Sequence, residues 1–228
     1  MGYAGSVTLI RKVRNTVKYY KLHLIRHGLT AGNLQGLYIG SGTDLPLCAE
    51  GRAQLQELKA QFRYPEVSLV FTSPLLRATQ TADVLFPGVR QIELQDLREM
   101  AFGKFEGRPL QQLVKDPEFA RWMDPTSRAV PAGAEDRQAF FERTSGMLMK
   151  MFEYLLRTHT QEAACVTHGG VIMNMLAQHA LPFRKPEEWM TDPGAGYSLR
   201  LDAEMWMRDH LAEAYDVVPC GYLDGAEE

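Results

Sequence analysis

Three apolar stretches of the sequence each run into residues that can do chemistry. YKLHLI (20–25) runs into Arg26-His27-Gly28. SLVF (68–71) runs into Thr72-Ser73-Pro74, with Arg77 shortly after. AACV (163–166) runs into Thr167-His168-Gly169-Gly170. A buried strand is a costly place for a charged pair, so Arg26-His27 needs partners, and the other two ends supply them. Guanidinium groups grip phosphate oxygens in a two-point fork, which suits Arg26 and Arg77. Gly169 and Gly170 precede an apolar helical run and leave backbone N–H groups open to an anion. Thr30 and Asn33 could add neutral donors. In such a receptor a neutral imidazole can attack phosphorus directly. A second imidazole, when protonated, can steady charge on the equatorial oxygens. The leaving oxygen then needs a proton. LREMAFGKFEG (97–107) offers Glu99 and Glu106. Glu99, flanked by Leu97, Met100 and Phe102, is the better candidate, because burial raises a carboxyl pKa toward the range of a general acid.

Each piece alone is weak. A single histidine at a strand end, or a single arginine, is more often structural or solvated. A glycine pair after a strand is more often a turn. The conjunction on three strand ends carries the reading. His23, His159, His179 and His210 lack such a context and are read as structural.

These residues need a scaffold that brings strand ends together. The periodicity predicts strands at 20–26, 68–73, 89–97 and 163–170, the last ending in a His and two glycines, and closing strands in YSLRLDAEM and AEAYDVV. It predicts helices over 51–62, over LLRATQTADVLF with Pro74 in its first turn, over 135–157 and over VIMNMLAQHAL. A helical segment from Leu110 to Trp122 is expected to break at Pro117 and Pro125. Strands alternating with helices give an α/β fold, a three-layer sandwich with a mostly parallel central sheet. In such sheets, sites form at the carboxyl ends of the strands. The Met and aromatic stripe of 135–157 is read as core.

Composition narrows the function classes. Of 228 residues, 45% are hydrophobic and 23% charged, and the net charge is -3. That balance offers no basic field for nucleic acid, and no apolar run is long enough to span a bilayer. Cys48, Cys165 and Cys220 are odd in number and widely spaced, which argues against a disulfide framework and a CxxC metal site. Residues 1–18 are expected to be an extension of uncertain order. Their Gly2 and Ser6 match a permissive acylation pattern that carries little weight. The expected compartment is the cytosol.

At the quoted residues the chain resembles the histidine phosphatase superfamily, the phosphoglycerate mutase-like proteins, from about Tyr20 to Val218. LIRHGLTAGN is similar to the family's Arg-His-Gly strand, SPLLRATQTA to its second motif, LREMAFGKFEG to its acid-bearing segment and VTHGG to its last motif. The resemblance implies a phosphoglycerate mutase-like fold with His27 as the phosphorylated nucleophile and Glu99 as the acid. It also implies that Arg26, Asn33, Arg77 and His168 hold the phosphate, with no metal or other cofactor. YIGSGTDLPLCAEG (38–51) and LREMAFGKFEGR look most like the α-ribazole phosphatases and related small phosphatases. Leu29 stands where the family commonly has Glu or Gln, and Phe105 where many members have Trp.

The expected domain is 19–228, with a cap over the site from about 108–134, where Arg108, Arg121, Trp122 and Arg128 could touch substrate. Only 69 positions separate Glu99 from His168, which looks like the shorter phosphatase form of the family. The expected function is therefore hydrolysis of a small phosphomonoester, α-ribazole 5′-phosphate or a broader set. A phosphoglycerate mutase and a non-catalytic phospho-ligand binder are the alternatives, and retention of Glu99 argues against the binder. The sequence leaves the choice between monomer and homodimer open.

Overall fold

The computed structural model describes residues 19–124 and 126–222. The extension expected over 1–18 lies outside the described residues. In chain order the elements are β1 (Tyr19–Arg26), α1 (Ala31–Leu34), α2 (Ala49–Gln61), β2 (Leu69–Thr72), α3 (Leu76–Leu85), β3 (Arg90–Glu93), α4 (Leu110–Leu113) and α5 (Pro117–Met123). They continue with α6 (Arg137–Thr158), β4 (Glu162–Thr167), α7 (Gly169–His179), β5 (Ala180–Leu181), β6 (Gly196–Asp202), α8 (Ala203–Asp209) and β7 (Ala212–Val218).

The strands form one seven-stranded sheet in the order β3-β2-β4-β1-β6-β7-β5. β1, β2, β3 and β4 pair in parallel, and β6 runs antiparallel to both β1 and β7. Side chains alternate across the sheet, as the two-residue period of a strand requires. Leu22, Leu24, Leu69 and Phe71 meet Leu148, Met151 and Leu155 of α6 and Val171, Ile172 and Met175 of α7. Ile25, Val70, Ala164 and Val166 meet Leu55 and Leu58 of α2 and Ala78, Ala82 and Leu85 of α3 on the other face. The result is the expected three-layer α/β sandwich. A third, smaller apolar cluster joins Phe102 and Phe105 to Leu113, Phe119 and Trp122.

Several boundaries differ from the expectations. The strand expected over 89–97 stops at Glu93, because β2 offers it only four partners. The chain then makes a 3₁₀ turn over Gln95–Leu97 that buries Leu97 fully. Pro74 lies outside the helix it was expected to open. Ser73 and Pro74 instead complete the exit from β2, and α3 begins after Leu75. Pro117 starts α5 at a position where its missing N–H costs nothing, rather than merely breaking a helix. The AEM of the expected closing strand is helical, since the Asp202 carboxylate accepts from Met205 N–H and caps α8.

Candidate active site

The carboxyl ends of β2, β4 and β1 lie side by side, with Thr72 opposite Val166 and Arg26 opposite Thr167. Backbone bonds continue past the strands: His27 N–H donates to Thr167 O at 2.9 Å, and Ser73 N–H to Val166 O at 3.0 Å. His27 and His168 are therefore held rigidly, with ring centroids 5.1 Å apart.

The hydrogen bonds assign the histidine tautomers. His27 Nδ1 faces Gly28 O at 2.7 Å. A carbonyl only accepts, so Nδ1 carries the proton and Nε2 keeps its lone pair. Burial, then the Arg77 charge, and more weakly Arg26, hold the His27 pKa well below its ordinary 6.5, against the pull of the Gly28 carbonyl. The ring is thus held neutral, with its lone pair on Nε2. His168 is fully buried. Its Nδ1 accepts from Arg77 Nε–H at 3.3 Å, which puts the ring proton on Nε2, facing Ser73 Oγ at 2.8 Å. Burial, His27 and Arg77 hold its pKa well below the ordinary range. A protonated second imidazole is therefore not the resting state of this site: both ring nitrogens are already engaged with the ring neutral.

Arg77 is 1% exposed. It also donates to Thr43 O at 3.1 Å and Gly40 O at 2.9 Å. Those three bonds use three of its five N–H donors. Arg26 donates to Thr191 O at 2.6 Å and lies against Gly169, whose Cα hydrogens face its guanidinium. Glu99 is buried beside both arginines. Its Oε2 accepts from Gly170 N–H at 3.0 Å in the first turn of α7, and its Oε1 from Met100 N–H at 2.9 Å. Burial raises its pKa, and those two amides and Arg77 oppose the rise. Glu106 is engaged elsewhere, accepting from Gly40 N–H at 2.6 Å and Phe102 N–H at 3.3 Å.

Thr30 and Asn33 form a local cap. The Thr30 hydroxyl donates to Asn33 Oδ1 at 2.9 Å and accepts from Asn33 N–H at 3.3 Å. The only proton of that hydroxyl is thus turned toward Asn33, and Thr30 orients its neighbour rather than offering a donor to an anion. The Asn33 amide nitrogen is the donor this turn can present. Of the four residues expected to touch substrate from 108–134, Trp122 is instead buried among Phe102, Phe105 and Phe119. Arg108 pairs with Asp116 at 3.0 Å, while Arg121 and Arg128 are exposed.

Ser73, Thr81 and Thr167 tie the strand ends together, roles that no local pattern in the chain signals. Ser73, at the end of β2, is the partner of His168. Thr81 accepts from Gly28 N–H at 2.9 Å and donates to Arg77 O, which ties the His27 loop to α3. Its spacing of four from Arg77 places it on the same helix side. Thr167 donates to Leu97 O at 2.7 Å and fixes the acid-bearing turn to β4.

A family model described as histidine phosphatase superfamily (branch 1) matches residues 22–213. The chain belongs to the histidine phosphatase superfamily. This histidine phosphatase is 33% identical over 200 residues to the adenosylcobalamin/α-ribazole phosphatase of Salmonella typhimurium, covering 86% of the chain and 92% of the relative. It is 33% identical over 163 residues to the Escherichia coli protein of the same name, covering 69% and 78%. Its fold is similar to that of the α-ribazole phosphatase from Shigella flexneri, with a TM-score of 0.73, 27% identity and coverage of 91% and 100%. It is also similar to a phosphoglycerate mutase from Thermus thermophilus, with a TM-score of 0.60, 33% identity and coverage of 80% and 93%. This histidine phosphatase is an enzyme that acts on phosphate esters. Among the described residues, no helix is long and apolar enough to cross a membrane.

Proposed function

We propose that the enzyme hydrolyses a small phosphomonoester through transient phosphorylation of His27. Nε2 attacks phosphorus, the bond to the leaving oxygen breaks, and Glu99 gives that oxygen its proton. Water then attacks the phosphohistidine, Glu99 takes the water's proton, and phosphate leaves as His27 is restored. Arg26, Arg77, Asn33 and the Gly169 amide hold the phosphoryl oxygens, and His168 joins them by sharing its Nε2 proton between Ser73 Oγ and the phosphate. The observation that carries this reading is the His27 Nδ1–Gly28 O bond of 2.7 Å, which leaves a neutral Nε2 as the nucleophile.

We infer that the substrate class is that of α-ribazole 5′-phosphate, in support of which stand the named relatives. The leaving group would lie under a cap from about 108–134, whose α4 and α5 bury Leu113, Phe119 and Trp122 on the acid-bearing segment. Tyr38 stacks on Phe102 with centroids 3.9 Å apart, and burial, then the charges of Glu99 and Glu106, raise its phenol pKa. Its ring is thus the aromatic surface beside the acid. A mutase reading has one observation behind it, the likeness to the Thermus protein.

A quench in alkaline detergent during turnover is expected to trap phosphate on the protein in an acid-labile, alkali-stable form that His27→Ala abolishes together with hydrolysis. A His27→Ala enzyme at full rate would overturn the reading. Conversion of 3-phosphoglycerate to 2-phosphoglycerate outpacing hydrolysis would favour the mutase.

A further inference from the structure

Arg143 on α6 makes five hydrogen bonds, and all of them bracket the segment that carries Glu99. Nε and Nη2 grip the Glu135 carboxylate at 2.6 and 2.8 Å. Nη1 donates to the carbonyl oxygens of Asp96 at 2.7 Å and Arg98 at 2.8 Å, and Nη2 reaches Glu99 O at 3.3 Å. Glu135 closes the other side. Its carboxylate accepts from Ala101 N–H at 3.4 Å, and its own N–H donates to Ala101 O at 2.9 Å. The two side chains are only 17% and 20% exposed. The Glu99 carboxyl is bonded to neither; it faces Gly170 and Met100 amides.

The turn from 96 to 101 has no ladder of its own, since β3 ends at Glu93. Three carbonyls that converge on one point need a planar set of donors at fixed angles, which a guanidinium provides and an ammonium does not. We propose that Arg143 and Glu135 are a positioning pair for the general acid, fixing the backbone of Glu99 so that its carboxyl meets the leaving oxygen. The inference rests on Glu99 being that acid. A shift of the order of 1 Å in such a group is enough to cost about 100-fold in rate. The Arg143 charge also acts on the Glu99 pKa, in the same direction as Arg77 and against burial. Arg26 and Tyr38 face the same carboxyl.

The test is the rate of the first-turnover burst on two substrates, an alkyl phosphate whose leaving group must be protonated and 2,4-dinitrophenyl phosphate, whose leaving group need not be. Arg143→Met is expected to slow the alkyl burst by about 10–100-fold and the dinitrophenyl burst far less. Glu99→Gln is expected to show the same contrast, larger. The alkaline limb of kcat/KM on the alkyl substrate is expected to move to higher pH in Arg143→Met, because the lost cation had favoured ionised Glu99. Arg143→Lys is expected to restore the limb more than the rate. Glu135→Gln is expected to show the same contrast, weaker, and it and Arg143→Lys carry the comparison where Arg143→Met does not fold. Equal loss on both substrates in the Arg143 and Glu135 variants, with the contrast kept in Glu99→Gln, would overturn the positioning role and leave the acid standing. No contrast in Glu99→Gln would overturn the acid itself.

Discussion

His27 and His168 sit one ring apart with their protons on opposite kinds of nitrogen, Nδ1 in one and Nε2 in the other. The arrangement directs a lone pair of the first outward and locks the second between Arg77 and Ser73. It also sets the pH dependence. Attack needs a neutral His27, whose pKa lies well below its ordinary 6.5 through burial and the arginine charges. Activity is lost as pH falls through that lowered pKa, so the acid limb of kcat/KM should lie below pH 6.5. Proton donation needs protonated Glu99, whose pKa burial raises above its ordinary 4.5. The alkaline limb should therefore follow a carboxyl displaced upward. Arg77→Gln removes a cation from beside His27 and should move the acid limb up while raising KM. An acid limb unmoved by that change, in a pH series of kcat/KM, would mean that another group sets it. Leu29 sits beside these groups, and its backbone oxygen accepts from Cys48 N–H at 3.1 Å. Nothing in the structure explains its apolar side chain.

Two glycines show how the elements carry the site. Gly40 lies where the 38–44 segment crosses the acid-bearing one. A Cβ there would come 2.1 Å from Met100 O and 2.9 Å from the Phe102 ring, while Gly40 O anchors Arg77. Gly40→Ala should push the two segments apart, cost about 1–3 kcal/mol of stability and weaken phosphate inhibition as well. Gly146 lies inside α6 with open space where its Cβ would be. Gly146→Ala should stabilise the protein by about 0.5–1 kcal/mol with kcat unchanged, because alanine loses less freedom on entering a helix. Denaturant titrations of both variants, with phosphate inhibition constants, check the contrast. Both glycines look alike in the sequence. Only the neighbours across the fold separate them. The same holds for Arg143, which reads as one more charge on a helix until the 96–101 turn is folded against it.

At the scale of the whole molecule, four histidines are buried in neutral form. Burial is the leading cause of a lowered pKa in His23, His27, His168 and His179. Below the ordinary histidine pKa of about 6.5 the unfolded chain takes up protons that the folded one refuses. Stability should be full above that pH and should fall steadily as pH drops below it. His179 bonds Ser145 at 2.7 Å and His210 O at 2.9 Å, away from the phosphate site. His179→Gln should flatten the fall of Tm between pH 6.5 and 5. A slope as steep as that of the unchanged protein, by calorimetry across that range, would assign the acid sensitivity to other groups.

Membership of a phosphatase family and the residues that gather at one sheet edge were both legible in the chain. Arg26, His27, Arg77, Glu99, His168 and the glycine pair are legible because strand periodicity stops abruptly at polar residues, and parallel strands bring such stops to one edge. The layers were legible for the same reason, since apolar spacing reports which face is buried. Only the folded chain showed which nitrogen of each histidine carries the proton, since that depends on how the His27 ring turns toward Gly28 O and on the Arg77 and Ser73 side chains that bracket His168. It alone moved Thr30 from the anion to Asn33, Trp122 from the substrate to a small core, and the end of β3 from Leu97 to Glu93. The His168 proton, the burial of Trp122 and the end of β3 are set by partners remote in the chain, while the His27 and Thr30 bonds are local but depend on side-chain rotations that a pattern of residue types does not record.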